Sequence, residues 1–81
     1  MTHDEALALV LGALSTVAPE LNATGIDPDV SLRSGADLDS MDFLSYVAAL
    51  SDAIDSDISE SAYEKIDTVN GAVEFLTTQF Q

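Results

Sequence analysis

Cysteine is absent from this chain, which excludes disulfides, zinc–thiolate sites and thiol nucleophiles in one step. Any thiol chemistry has to be imported. Basic residues are nearly absent too: Arg33 and Lys65 stand alone against fifteen Asp and Glu, for a formal net charge of -13. That balance disfavours direct binding to nucleic acid or to an anionic membrane surface, so the partners to expect carry basic surfaces. No stretch approaches the roughly 20 apolar residues of a membrane span. The first residues, Met-Thr-His-Asp-Glu, lack the basic start and long apolar run of a signal peptide, so a cytoplasmic protein is expected. A length of 81 residues leaves room for one domain spanning 1–81, expected to act as a monomer, and none for a deep catalytic cleft.

What is present is helical periodicity. Thr2 followed by Glu5 fits a capping box, and Leu7, Val10, Leu11, Leu14 and Val17 recur at helical spacing until Pro19. Residues 19–39 then hold both prolines, two of the four glycines and the run Asp27-Pro28-Asp29, with Leu21, Ile26, Val30, Leu32 and Leu38 as apolar anchors. This reads as a long loop lying across the helices. A second helix is expected over 41–54, with Asp39 or Ser40 as its cap, and Phe43, Val47, Leu50 and Ile54 on its core stripe. Asp42, Ser45, Ala49 and Asp52 fall on a water-facing stripe, with Met41, Leu44 and Ala48 between the two. A short helical turn over 60–65, capped by Ser59, turns Tyr63 and Ile66 inward. A last helix from about Val69, capped by Asp67 or Thr68, aligns Val73, Leu76 and Phe80. No run alternates cleanly enough for a strand. The fold expected is all-α, a bundle of three long helices and one short one with a long first loop. Hydrophobic residues are 47% of the chain but eleven are alanine, so a domain this small ends only about a few kcal/mol more stable than its unfolded chain.

Residues 37–50 read Asp-Leu-Asp-Ser-Met-Asp-Phe-Leu-Ser-Tyr-Val-Ala-Ala-Leu and place Ser40 between acidic neighbours where loop turns into helix. A serine there is at the surface, beside the partial positive charge of a helix N-terminus, which suits a phosphoester. Taken alone, Ser40 is as readily a helix cap. The stretch resembles the attachment site of acyl carrier proteins, whose Asp-Ser-Leu core accepts 4′-phosphopantetheine from coenzyme A; here Met41 stands where leucine is usual. Residues 50–58, Leu-Ser-Asp-Ala-Ile-Asp-Ser-Asp-Ile, are similar to the end of that family's second helix. Residues 66–69, Ile-Asp-Thr-Val, resemble the entry to its last helix.

The resemblance implies a non-catalytic carrier. A phosphopantetheinyl transferase would place the covalent arm on Ser40, acyl groups would ride on it as thioesters, and acyl-loading and acyl-transferring enzymes with basic docking surfaces would act on them. Asp39, Met41, Asp42, Leu44, Ala48, Asp52, Asp55 and Asp57 are the implied partner-recognition residues. Ser45 and Ser51 occupy places where many carriers of fatty-acid synthesis have glutamate, and Phe43 and Tyr46 make the helix bulkier, narrowing any acyl pocket. These departures fit a carrier dedicated to one fatty-acid or polyketide pathway. An aminoacyl or peptidyl carrier fits less well, because Leu38 and Asp39 stand where such carriers more often have glycine and histidine or aspartate. An acidic interaction module of another kind is permitted by composition but leaves Ser40 without a role. Calcium binding fails on spacing: a loop of the EF-hand kind begun at Asp55 puts Glu60 and Ile66 where glycine and glutamate are required. An enzyme is least expected, since no His or basic residue pairs with a nucleophile in a recognisable arrangement, and His3 has no evident role.

The aspartates between residues 37 and 57, Asp37, Asp39, Asp42, Asp52, Asp55 and Asp57, have no basic residue among them. Exposed charges are screened within about 10 Å at 0.1 M salt. Added salt, and Mg²⁺ or Ca²⁺ more strongly, should therefore raise the melting temperature without altering the helical circular dichroism. A midpoint indifferent to ionic strength would contradict this account of the charge.

Overall fold

The computed structural model describes residues 1–18, 27–35 and 38–79. Among these residues the structure is all-helical, with α1 (His3–Val17), α2 (Ser40–Ile54), α3 (Val69–Gln79) and two 3-10 turns, Glu60–Ala62 and Lys65–Asp67, and no strand. The positions of Pro19, Leu21, Ile26, Asp37 and Phe80 lie outside the described residues.

α1 starts as its capping box dictates. The Thr2 hydroxyl accepts from the Glu5 amide at 3.1 Å, and the Glu5 carboxylate accepts from the Thr2 amide at 3.3 Å. The Thr2 amide, then its hydroxyl, hold the Glu5 carboxyl below its ordinary value. The buried face runs through Ala6, Val10, Ala13 and Leu14, while Leu7, Leu11 and Val17 are only half-buried. The stripe is thus rotated toward the small residues. Two alanines on that face let α1 approach closely, and it packs against both α2 and α3.

α2 begins one residue earlier than its periodicity suggests. Asp39 is the cap, its carboxylate accepting from the Asp42 amide at 2.8 Å, which leaves Ser40 as the first helical residue. The inward face is Phe43, Tyr46, Val47 and Leu50, with Ile54 and Ala49 half-buried. Tyr46 joins the core stripe that the spacing assigned to Phe43, Val47, Leu50 and Ile54: it is fully buried and its hydroxyl donates to the Ile66 carbonyl at 2.9 Å. At 100° per residue Tyr46 falls beside Leu50 and Phe43, and a tyrosine can occupy that place only because a carbonyl waits at the end of its ring. Burial first, and the Asp67 charge second, push its phenol well above the usual range. Asp55 ends the helix in the left-handed region (φ 53°), and the Ser56 amide donates to the Ser51 carbonyl at 3.1 Å.

The short helix expected over 60–65 is instead two separate 3-10 turns. The Ala62 and Tyr63 amides donate to the Ser59 and Glu60 carbonyls, three residues back. The segment between Ser59 and Thr68 is too short to repay helix nucleation, and its turns serve to bury Ala62 and Ile66 while the Tyr63 ring meets Phe43 edge-on at 5.7 Å. α3 is capped by Thr68, whose hydroxyl accepts from the Gly71 amide at 2.9 Å; Asp67 does not cap it. Val69, Ala72, Val73 and Leu76 form its buried face. Leu32 and Leu38 complete the core from the connecting segment between α1 and α2. No helix among the described residues is long and apolar enough to cross a membrane.

Gly71 is fixed by close approach. A Cβ there would lie 2.1 Å from the Lys65 carbonyl oxygen and 2.8 Å from the Thr68 hydroxyl. An ordinary helical Gly→Ala change stabilises by about 1 kcal/mol; here the sign should reverse. Gly71→Ala should cost about 1–3 kcal/mol, the usual range for forced backbone shifts in a packed site, as a lowered urea midpoint. A stabilised variant would show that α3 and the preceding turn separate freely.

Candidate functional site

The start of α2 is positioned from a distance, by a carboxylate. Asp67, at the end of the second 3-10 turn, accepts from the Ser31 hydroxyl and from both the Arg33 backbone amide (3.2 Å) and the Arg33 Nε (3.0 Å). Its own backbone carbonyl accepts from the Leu32 amide at 2.6 Å. Burial alone would raise the Asp67 carboxyl, but the hydrogen bonds from Ser31 and Arg33, with the Arg33 charge, outweigh it and hold the group below the ordinary carboxylate value. The Arg33 guanidinium also lies over the Phe43 ring, 4.7 Å from its centre.

Further contacts continue this seam. The Asn70 amide donates to the Pro28 carbonyl at 2.9 Å and its side chain to Asp29 at 2.7 Å, so an otherwise orphaned amide in the first turn of α3 is satisfied by the connecting segment. Leu32, held between these bonds, is fully buried, and the Leu38 amide donates to its carbonyl at 3.1 Å. Leu38 is buried in turn. From that anchor the chain has one residue, Asp39, in which to emerge and cap α2, and Ser40 follows at the surface.

Ser40 is exposed, and among the described residues its hydroxyl has no hydrogen-bond partner. The reason is local: Asp39 takes the capping role that a serine at this boundary would otherwise perform. At 100° per residue, Ser40, Met41, Leu44, Ala48 and Asp52 fall within about 120° of arc on α2. All five are exposed, Met41 by 78% and Leu44 by 52%. Met41 and Leu44 are the large exposed apolar side chains among the described residues, and they sit together beside Ser40. Asp39 is exposed next to them, and Asp42 is half-buried on the other flank. Asp55 and Asp57 are exposed but belong to the far end of α2, about 20 Å along its axis at 1.5 Å per residue. Two open grooves, about 340 and 330 Å³, meet at Lys65, Phe75 and Gln79, and neither includes Ser40.

Sequence reasoning missed Asp67 as the organiser of this site and Arg33 as its partner. The scarcity of basic residues was the available signal, since one of only two had to be worth its place. Spacing along the chain gave none, because Ser31 and Asp67 are 36 residues apart.

With this geometry in place, comparison with known proteins is informative. A family model described as a phosphopantetheine attachment site matches residues 8–76, nearly the whole chain. No solved structure matches. The group carried by that family is 4′-phosphopantetheine, held covalently. The residues at the start of α2 fit it: an exposed hydroxyl on the first turn of a helix, with no hydrogen-bond partner among the described residues.

Asp67→Asn should lower stability at pH 7 by about 2 kcal/mol, the range for hydrogen bonds to a charged group. The folded pKa is depressed, so the wild-type advantage is present above the ordinary value of 3.8 and lost as pH falls below it through the folded value. The gap in melting temperature should therefore be widest near neutrality and shrink under acid. Equal midpoints at pH 7 would remove Asp67 from this role.

Proposed function

The chain belongs to the phosphopantetheine-attachment family, and from that premise we propose that Ser40 takes the arm and that the protein is a discrete, non-catalytic acyl carrier, acting as a cytoplasmic monomer. The arm supplies a terminal thiol for thioester-bound acyl groups, a chemistry that a cysteine-free chain cannot provide from its own side chains. One observation carries the assignment to Ser40. Its hydroxyl stands exposed at the first residue of α2, without a hydrogen-bond partner among the described residues, because Asp39 has taken the cap. The positive end of the helix lies beside it, which favours the anionic phosphodiester formed there.

The exposed stripe after Ser40 supports a docking role. Met41, Leu44 and Ala48 offer an apolar centre that a partner can desolvate, and Asp39, Asp42 and Asp52 a rim that attracts basic residues, with Asp55 and Asp57 extending the field along α2. Partners of this chemistry are the phosphopantetheinyl transferase and the enzymes that load and remove acyl groups. Ser45 and Ser51 in place of acidic residues favour a carrier dedicated to one specialised fatty-acid or polyketide pathway over a general one. Three α-helices, the paired 3-10 turns and the buried Leu32 and Leu38 support an acyl-carrier-like bundle with a long first loop.

Incubation with coenzyme A, Mg²⁺ and a broad-specificity phosphopantetheinyl transferase should add one phosphopantetheine, located by tandem mass spectrometry on the peptide containing Ser40. Ser40→Ala should abolish the addition while changing stability by no more than about 0.5 kcal/mol, since the residue is exposed and the cap is Asp39. Leu44→Asp should slow the addition with the fold intact. A wild type that is never modified, or a modified Ser40→Ala, would reject the assignment.

A further inference from the structure

Resting on that reading of the site, we propose that Met41 is an oxidation switch: conversion of its thioether to the sulfoxide turns the apolar centre of the docking stripe polar and suspends docking at Ser40. The sulfur inventory makes the position singular. With no cysteine and two methionines, the unmodified chain holds two sulfur atoms, and they differ in access. Met1 is half-buried and packed against the core, whereas Met41 is 78% exposed. A soft oxidant such as hydrogen peroxide therefore meets Met41 first.

The reaction balances with the peroxide alone. The Met41 sulfur attacks one peroxide oxygen, the O–O bond breaks, sulfur loses two electrons and gains an S–O bond, and the second oxygen leaves as water after proton transfer. Met41 lies outside the core formed by the described residues, so the modified protein stays folded. A partner that would have buried an apolar thioether beside Leu44 must now desolvate a strong S–O dipole, without a matching donor on a surface shaped for an apolar side chain. Methionine sulfoxide is reducible by dedicated reductases, so the change is reversible. Leucine at this place, usual in the resembling carriers, would support docking without the sensitivity.

The test uses the 81-residue chain before arm attachment, so that the thiol of the arm does not compete for peroxide. Limited hydrogen peroxide should add one oxygen, mapped by peptide mass spectrometry to Met41 ahead of Met1, with unchanged circular dichroism. The oxidised protein should be modified by the transferase with kcat/KM lowered about ten-fold, the factor corresponding to ~1.4 kcal/mol of lost contact, and methionine sulfoxide reductases should restore it. Met41→Leu should be modified at the same rate before and after peroxide, whatever that rate is, and Met41→Gln should be slow without it. Preferential oxidation of Met1, or an unchanged rate on fully Met41-oxidised protein that the transferase otherwise accepts, overturns the switch alone. A wild type that is never modified removes the Ser40 reading and the switch with it.

Discussion

The Asp67 carboxylate is the constraint on which the geometry of this chain depends. A protein of net charge -13 repels itself, and most of its acidic groups are spread over the surface. Asp67 is the exception: it is largely enclosed and takes three donors from Ser31 and Arg33. An exposed ion pair would be worth little. Here one Asp67 oxygen takes both the Nε and the backbone amide of Arg33, the carboxylate is mostly buried although Arg33 is exposed, and the Ser31 hydroxyl and the ring of Phe43 complete the contact, so it ties three parts of the chain at one point. From it follow the burial of Leu32, the bond from Leu38 to Leu32, and the single residue of slack before α2.

The same economy explains the surface at the start of α2. Capping, anchoring and presentation fall to different neighbours: Leu38 anchors, Asp39 caps, and the Ser40 hydroxyl is left exposed with no partner among the described residues. Met41 and Leu44 would each contribute about 1.5–3 kcal/mol if buried. In a domain with so small a core, leaving both in water forgoes that stability, and the proposed docking role gives the exposure a use.

Local rules made much of this legible without coordinates. The capping box of α1, the aspartate before Ser40, the span of α2 and the start of α3 each rest on residues within four positions of one another, where spacing carries the physics. What spacing could not carry was long-range. Tyr46 was left off the core stripe because a hydroxyl there is acceptable only if an acceptor waits beyond it, and that acceptor, the Ile66 carbonyl, is 20 residues away. The short helix became two 3-10 turns because Ala62 and Ile66 must both reach the core while the chain bends to deliver Asp67 to Ser31 and Arg33. The reading of Ser40 depended on a motif and a helix boundary, both local. The framework that holds it out of the core was invisible.

The two cations complete the argument about recognition. Arg33 is committed to Asp67 and Phe43, and Lys65 lies beside the grooves away from Ser40, so among the described residues no basic group answers the carboxylates that flank Ser40. Under the proposed reading, the field around Ser40 is attractive to any basic enzyme and raises encounter rates without choosing among partners. Discrimination must then come from short range, from whether a partner's surface accepts Met41, Leu44 and Ala48 in their helical spacing and desolvates them without stranding Asp42. A substitution in that stripe should change which enzymes the carrier serves, whereas a charge change in the rim should change how fast it meets all of them.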